Sequence, residues 1–266
     1  MHPYVHILGR ELPSYGILMV LAAGVAFIMM KVLSKKKQVL IEDAALLYLI
    51  GICGAVIGAI TLRPIMNLAE VASNWNNYSS LSFLEIIRHV SGEIVFYGGL
   101  LGGMVAVILF CRKYKIGIIA FFDLAVPPLA FAHAIGRLGC FAGGCCYGIE
   151  MPYNHRLAVI YPPISPGAPS GIPLLAVQPI ETAFLLALSI LLNVIFLKGK
   201  RKGVSASVYL IVYPVGRFIL EFFRGDIVRG MYGFLTTSQI ISIFLFVCGV
   251  FCLIRVVLKK NFVGGL

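Results

Sequence analysis

The chain has 266 residues, of which 60% are hydrophobic and only 12% are charged, and its mean hydropathy is +0.96. Soluble domains carry about 25% charged residues, so this composition excludes a soluble globular protein and indicates an integral membrane protein. The formal net charge is +11, but the lysines lie at the ends of apolar segments and not in a basic stripe among aromatic residues, which argues against nucleic-acid binding.

Seven apolar segments are long enough to cross a membrane, because a helix needs about 20 residues, somewhat fewer with polar ends, to span the hydrocarbon core. We see no second compositional regime, so we predict an all-α integral membrane protein with a single polytopic domain over residues 1–266. In chain order the predicted segments are Tyr15–Val32, Ala44–Leu62, Ile94–Phe110, Ile116–Ile135, Ala176–Leu197, Val204–Phe223 and Phe234–Leu258.

Lysines determine the predicted orientation, because short loops that carry positive charge stay in the cytoplasm. Every lysine lies near the end of the first, third, fifth or seventh segment, which places the N-terminus outside and the C-terminus inside. The basic residues on the other side are all arginines, whose planar fork suits phosphate or carboxylate groups. They are Arg10, Arg63, Arg88, Arg137, Arg156, Arg217, Arg224 and Arg229.

Two predicted outer-face insertions interrupt the spans. The first covers about residues 63–92 and contains Trp75 and Tyr78, which are typical of an interfacial piece. The second covers about residues 141–175, between the fourth and fifth segments, and is rich in proline and glycine. Loops of this length tend to be lids or binding segments. We predict a short strand at Leu157–Tyr161 within it.

The sixth segment carries charges on one helical face. Tyr213, Arg217, Glu221 and Arg224 are spaced by four, four and three residues, which brings them to one side of a helix. A charged residue at this depth costs about 2.5–3.5 kcal/mol unless it meets protein, water or a partner. One interpretation is a ladder of ion pairs that joins helices. The other is an anion site, because two arginines outnumber one glutamate.

Glycine-rich stretches lie at similar depth in two other segments. Arg137 stands in "HAIGRLGCFAGGCCYG", from His133 to Gly148, and "YGGLLGG" runs from Tyr97 to Gly103. Glycines in membrane helices often serve close packing, but bare backbone also brings N–H groups near an anion, as in phosphate-binding loops. Arginine, tyrosine and glycine in three segments therefore predict a pocket for an anionic lipid headgroup.

The runs "GRLGCFAGGCCYG", "FYGGLLGG", "LPSYGILM" and "GRFILEFFRGD" together resemble the bacterial prolipoprotein diacylglyceryl transferases over nearly the whole chain. This resemblance implies a membrane enzyme that moves the diacylglyceryl group of phosphatidylglycerol onto the thiol of a lipobox cysteine in a secreted prolipoprotein, with release of glycerol phosphate. It implies a multi-pass protein of the bacterial cytoplasmic membrane, whose partners are phosphatidylglycerol and the prolipoprotein signal peptide. We expect no cofactor and no metal.

The resemblance also implies roles for single residues. Arg137 and Arg217 correspond to the two central arginines of the family, which would hold the phosphate as the thiol attacks. The remaining pocket positions that we expect to contact the lipid are Tyr15, Gly98, Gly99, Gly136, Tyr213, Glu221 and Arg224.

The catalytic base is where the chain departs from the family pattern. Tyr97 stands where the family often has histidine, and tyrosine is a poor base at neutral pH. Glu181, near the start of the fifth segment, is a second candidate, and the substrate's own environment is a third. Cys140 and Cys145 replace the usual asparagine and acidic residue.

The cysteines leave several interpretations open. Cys140, Cys145 and Cys146 cluster at the predicted outer face, where an oxidising compartment permits a disulfide. Packed free thiols, a metal site and redox chemistry are the alternatives. At the level of the whole protein, the rivals are a family relative with another acceptor, a transporter or lipid-binding protein without chemistry, and a thiol–disulfide membrane protein.

Overall fold

A computed structural model of the chain describes residues 3–7, 9–36, 41–73, 75, 96–165, 167–226 and 231–258. Within these ranges the chain forms seven long helices and three two-stranded antiparallel sheets. The helices are α1 (Ser14–Lys36), α2 (Ile41–Ser73), α3 (Phe96–Lys113), α4 (Ile118–Gly143), α5 (Val177–Lys198), α6 (Val204–Glu221) and α7 (Thr237–Leu258). The sheets pair β1 (Tyr4–Ile7) with β2 (Arg10–Pro13), β3 (Ala158–Ile160) with β4 (Pro173–Leu175), and β5 (Met231–Tyr232) with β6 (Leu235–Thr236).

Six helices in the described part of the chain are long and apolar enough to cross a membrane, so the chain is a multi-pass membrane protein. These candidate spans are Ser14–Lys36, Asp43–Leu62, Ile118–Gly143, Val177–Lys198, Val204–Glu221 and Thr237–Leu258. The remaining helix, α3, has 18 residues and ends on Arg112 and Lys113. The predicted seventh span and the predicted orientation remain predictions.

Two helices continue beyond their predicted ends. α2 runs to Ser73, so the first part of the predicted insertion at residues 63–92 is helical, and residues 76–92 lie outside the described part. α4 runs to Gly143 through the glycine-rich stretch. A Cβ atom at Gly136 would lie 3.5 Å from Met19 Sδ, and one at Gly139 would lie 3.0 Å from Tyr15 Cδ2. These glycines let α1 pack closely on α4. The predicted strand at Leu157–Tyr161 is confirmed by β3.

The chain divides into two compact units, Met1–Gln38 with Ile119–Leu266, and Val39–Ile118. In the second unit α2 and α3 meet along a glycine seam, which is the usual means of close helix approach in membranes. A Cβ at Gly58 would collide with the Gly98 carbonyl oxygen, and a Cβ at Gly102 would collide with that of Gly54. A Cβ at Gly99 would lie 3.3 Å from the Ala55 carbonyl oxygen. Backbone contact therefore holds this pair.

The first unit contains α1 and α4 to α7. Its core cluster joins α4 to α5 through Val126, Ala130, Leu188 and Leu192. The buried Asp123 of α4 caps the start of α6: its Oδ1 accepts the Ala206 N–H at 2.8 Å, and its Oδ2 accepts the Gly203 N–H. The first N–H groups of a helix have no partner within the helix, so this carboxylate fixes where α6 begins.

Gly58→Ala is expected to lower the thermal stability of the detergent-purified protein, because the added methyl would push α2 from α3. Overpacking of this kind costs about 1–3 kcal/mol. Gly24→Ala is the matched control, since a Cβ at Gly24 meets nothing within 4 Å. Equal melting temperatures for the two variants would contradict close packing of α2 against α3 at Gly58.

Asp123→Ala is expected to destabilise the protein by about 0.5–2 kcal/mol, the usual cost of losing a helix cap. Asp123→Asn keeps one acceptor oxygen and should lose less. Thermal unfolding in the same detergent compares the stability of the wild type and the two variants. An alanine variant as stable as the wild type would show that the cap is dispensable.

Candidate functional site

Arg137 and Glu181 form a buried ion pair between two helices. Arg137 lies in the last two turns of α4 and Glu181 lies in the second turn of α5. Arg137 Nη2 is 2.9 Å from Glu181 Oε1, and the side chains are 12% and 1% exposed. An unpaired charge at this depth is expensive, so the pair keeps the end of α4 against the start of α5.

Arg217 of α6 reaches the same carboxylate from another helix. Its Nη1 lies 4.0 Å from Glu181 Oε2, and its Nη2 makes an ion pair with Glu221 one turn later. Arg217 Nη2 also donates to Ser238 Oγ of α7 at 3.3 Å, and Thr236 Oγ1 donates to Glu221 Oε1 at 3.0 Å. We call Arg137, Glu181, Arg217 and Glu221 the charge network.

The charge network is neutral overall, since two arginines face two glutamates. Sequence reasoning counted Glu221 alone against the arginines and therefore expected an unanswered positive charge; Glu181 supplies the missing counter-charge. Buried polar atoms normally find hydrogen bonds. Several here have none among the described residues: Arg137 Nε, Arg217 Nη1, both oxygens of Glu181 and Glu221 Oε2. The arginines and glutamates of the network therefore lie at ion-pair distance, and some of their donor and acceptor atoms make no hydrogen bond among the described residues.

Aromatic rings line one side of the network. Tyr213 stacks on Tyr209 with ring centroids 5.5 Å apart, and its ring meets that of His133 edge-on at 5.3 Å. Tyr213 lies one turn before Arg217 on the same face of α6. Tyr15, at the start of α1, is 44% exposed and packs its ring over Gly139. Both predicted tyrosines therefore lie in the same unit as the arginines.

Arg224 does not extend the network along α6, because the helix ends at Glu221. Its guanidinium instead binds Asp226 through two bonds, Nε to Oδ1 at 2.8 Å and Nη2 to Oδ2 at 2.5 Å. The ladder interpretation thus holds for Arg217 and Glu221 only. The backbone around Arg224 is tied to the turn after α4, since Gly225 N donates to Tyr147 O at 3.1 Å.

Cys140, Cys145 and Cys146 form a thiol cluster, with their sulfur atoms all within 4.8 Å of one another. Gly144 has φ 71° and Cys146 has φ 60°, and these left-handed residues turn the chain back over the end of α4. Gln178 Nε2 donates to the Cys145 carbonyl at 2.7 Å and fixes the turn. Within the described residues, which include all seven cysteines, no disulfide forms.

The surroundings of the Cys146 thiol lower its pKa. Hydrogen bonds from the Cys140 and Cys145 thiols, together with the positive charge of Arg224, lower the pKa of Cys146. Burial acts in the opposite direction but is outweighed. A group whose charged form is stabilised by donors and a cation has its pKa lowered, so these contacts favour the thiolate of Cys146.

The other predicted site residues have packing contacts. Gly136 faces Met19 of α1, and residues up to Gly143 are helical, so their backbone N–H groups are used inside the helix and do not form a bare anion loop. Gly98 and Gly99 face α2 within the second unit. Tyr97 lies in α3, but its side chain lies outside the described residues. Their roles in lipid binding remain predictions.

Sequence reasoning missed three polar partners. Ser238 and Thr236 flank the start of α7 and bind Arg217 and Glu221, and Asp226 binds Arg224. A signal for two of them was present in "TTSQ": Gln239 Oε1 accepts the Thr236 N–H and Thr236 Oγ1 accepts the Gln239 N–H. This reciprocal pair is a capping box, which places Thr236 at the helix start and therefore near the network.

Comparisons with known proteins identify the family. The family model described as Prolipoprotein diacylglyceryl transferase matches residues 3–255. The chain belongs to the prolipoprotein diacylglyceryl transferase family. A phosphatidylglycerol–prolipoprotein diacylglyceryl transferase of Clostridium tetani (strain Massachusetts / E88) is 34% identical over 245 residues, which cover 92% of this chain and 93% of that protein.

Two further diacylglyceryl transferases show how far the similarity extends. The second phosphatidylglycerol–prolipoprotein diacylglyceryl transferase of Clostridium perfringens (strain 13 / Type A) is 41% identical over 165 residues, 62% of this chain and 63% of its own. The enzyme of the same name from Synechococcus elongatus is 35% identical over 208 residues, 75% of this chain and 69% of its own. The range matched by the family model, residues 3–255, includes the helices that carry the charge network.

Glu181→Gln is expected to destabilise the folded protein, because it removes the carboxylate that faces both Arg137 and Arg217. Breaking a buried ion pair from one side costs about 3–5 kcal/mol. Glu150→Gln, at an exposed position, is the control and should unfold at the wild-type temperature. If both variants unfold together, Glu181 does not balance the arginines.

Proposed function

We propose that this protein transfers the diacylglyceryl group of phosphatidylglycerol to the thiol of a lipobox cysteine in secreted prolipoproteins and releases glycerol phosphate. Family membership supports this proposal, since the relatives are named phosphatidylglycerol–prolipoprotein diacylglyceryl transferases. The observation that carries it is the convergence of Arg137 and Arg217, from two helices, on the single carboxylate of Glu181.

The charge network is suited to a phosphate group. Arg137 Nε and Arg217 Nη1 are buried donors without hydrogen-bond partners among the described residues. A guanidinium offers several N–H groups in a fixed plane, so each arginine can hold a phosphate oxygen and keep its glutamate. The two glutamates preserve the position of the arginines, and the unused donors supply recognition of the headgroup.

The reaction develops negative charge at the leaving group. The acceptor thiolate attacks the terminal glyceryl carbon that bears the phosphate oxygen, the carbon–oxygen bond breaks, and the electron pair leaves on glycerol phosphate. Fixed cations near that oxygen lower the barrier because they need no rearrangement as the charge forms. Arg137 and Arg217 take this role, and Tyr15, Tyr213 and Glu221 shape the lipid site. Lipid contact by Gly98, Gly99 and Gly136 stays a prediction from the sequence.

Arg224 supports the site through the turn that follows α4. Its guanidinium pairs with Asp226, and residues next to it are bonded to the backbone at Tyr147 and Ile149. We assign it a positioning role.

The acceptor must lose a proton, since the thiolate is the nucleophile. Glu181 and Tyr97 remain the side-chain candidates for the base. Glu181 has Arg137 and Arg217 at ion-pair distance, so it can accept a proton only by weakening those pairs. We place the reaction at the outer leaflet of the bacterial cytoplasmic membrane, with the N-terminus outside and the C-terminus inside.

The direct test uses purified protein in phosphatidylglycerol vesicles with a synthetic lipobox peptide. The expected product is a peptide heavier by one diacylglyceryl group, formed together with an equal amount of glycerol phosphate. Vesicles of phosphatidylethanolamine and a peptide with serine in place of the cysteine should give no product. Transfer to a different acceptor, or movement of lipid without a covalent product, would reject the proposal.

Arg137→Lys and Arg217→Lys are each expected to lower the transfer rate by about 10²–10³-fold, the cost of removing one donor to developing charge. Lysine keeps the charge but loses the planar fork. Arg156→Lys, an exposed position in the loop before β3, should retain the wild-type rate. Peptide mass spectrometry gives the initial transfer rate of each variant and of the wild type. A wild-type rate in Arg137→Lys or Arg217→Lys would show that the substituted arginine has no role in the mechanism.

A further inference from the structure

The thiol cluster has the geometry of a metal site. Cys140, Cys145 and Cys146 place three sulfur atoms within 4.8 Å of one another. Three thiolates around tetrahedral zinc lie roughly 3.8 Å apart, from a Zn–S bond of about 2.3 Å. The sulfurs therefore need to move by about an ångström or less, which side-chain rotation supplies without unfolding the turn.

The backbone is already arranged to hold these three sulfurs together. Cys140 belongs to α4, whereas Cys145 and Cys146 follow the left-handed Gly144. A Cβ at Gly144 would lie 2.6 Å from Ser165 Oγ, so only glycine fits here. Cys145 N donates to the Cys140 carbonyl at 3.0 Å. The ligands are thus preorganised before any ion arrives.

Two positively charged side chains lie beside the thiol cluster. Arg224 lies within hydrogen-bonding reach of the Cys146 sulfur. Arg137 is three residues before Cys140 on the same helix, hence on the same face. Zinc with three thiolates has a net charge of minus one, and a fourth thiolate makes it minus two. Arg137 and Arg224 lie beside this negative charge in a partly buried place, and each also keeps its carboxylate partner, Glu181 or Asp226.

We propose that Cys140, Cys145 and Cys146 bind a zinc ion whose open fourth position takes the acceptor thiol as a thiolate. Zinc with three protein ligands and one open position is the usual catalytic arrangement, and a thiol that coordinates zinc is deprotonated. The second half of this inference rests on the proposed transferase function. It departs from our sequence-based expectation of a metal-free enzyme, and it supplies the activation that neither Glu181 nor Tyr97 clearly provides.

The proposed step moves the glyceryl carbon from the phosphate oxygen to the acceptor sulfur. The peptide thiol binds zinc and its proton passes to solvent. The zinc-bound thiolate then forms a bond to the glyceryl carbon, the carbon–oxygen bond to phosphate breaks, and the electron pair leaves on glycerol phosphate beside Arg137. The thioether product is a weaker ligand than a thiolate, so the zinc position reopens for the next peptide.

Metal binding is tested on reduced, chelator-treated full-length protein. Elemental mass spectrometry should give one zinc ion per chain. Cobalt bound in place of zinc should give a thiolate-to-metal absorption band. Zinc binding should weaken in each of the variants Cys140→Ser, Cys145→Ser and Cys146→Ser. The loss should exceed the ~10–100-fold that loss of an outer-shell partner costs. Cys53→Ser and Cys252→Ser, at exposed positions, are the matched controls and should bind normally.

Acceptor activation is tested on the cobalt-loaded wild-type protein, which avoids variants that fold poorly. The lipobox peptide should intensify the thiolate-to-cobalt band and release one proton per peptide bound. The peptide with serine for cysteine should do neither. In phosphatidylglycerol vesicles, chelation should abolish transfer and zinc should restore it.

The outcomes separate this inference from the proposed function. A protein that transfers lipid at an unchanged rate after chelation, or that binds no metal when reduced, overturns the zinc site and leaves the transferase intact. Isolation of an active protein with a Cys140–Cys145 or Cys140–Cys146 disulfide overturns it equally. A protein that binds zinc and the peptide thiol but forms no diacylglyceryl product rejects the proposed function and retains the site.

Discussion

The structure of the first unit depends on the burial of two guanidinium groups inside a membrane protein. Arg137 and Arg217 cannot lose their charge, so each needs a carboxylate within ion-pair distance. Glu181 lies at ion-pair distance from both arginines, and Glu221 forms a second ion pair with Arg217. Because these residues come from α4, α5 and α6, their pairing fixes the ends of three helices at one depth. In the proposed function, donor atoms of this network that have no hydrogen-bond partner among the described residues bind the phosphate.

The turn after α4 connects that network to the thiol cluster, where we propose that the acceptor binds. Arg137 and Cys140 share one face of the helix, and the left-handed backbone at Gly144 and Cys146 brings two further thiols back to Cys140. The arginine proposed to hold the phosphate and the first thiol of the cluster thus lie within one helical turn of each other. That proximity is what a direct displacement needs, since the attacking sulfur and the leaving phosphate must lie on opposite sides of a single carbon.

Sequence patterns predicted the helices well, because each span is a long apolar run and the ends of α5, α6 and α7 are set by lysine, glycine or polar residues. They failed where α4 continues through "GRLGCFAG", since glycine packing against Met19 and Tyr15 outweighs low intrinsic helix propensity. They also failed where α2 continues to Ser73. The face shared by Arg217 and Glu221 followed from helical period. The pairing of Glu181 with both arginines did not, because it joins helices distant in sequence.

A double-mutant cycle on Arg137→Lys and Arg217→Lys, with the rate of diacylglyceryl transfer as the readout, tests whether the two guanidinium groups bind one phosphate. If both guanidinium groups hold the same phosphate, their losses are coupled, and the double variant falls well short of the product of the two single effects. Independent effects that multiply in full would contradict a shared phosphate site between α4 and α6.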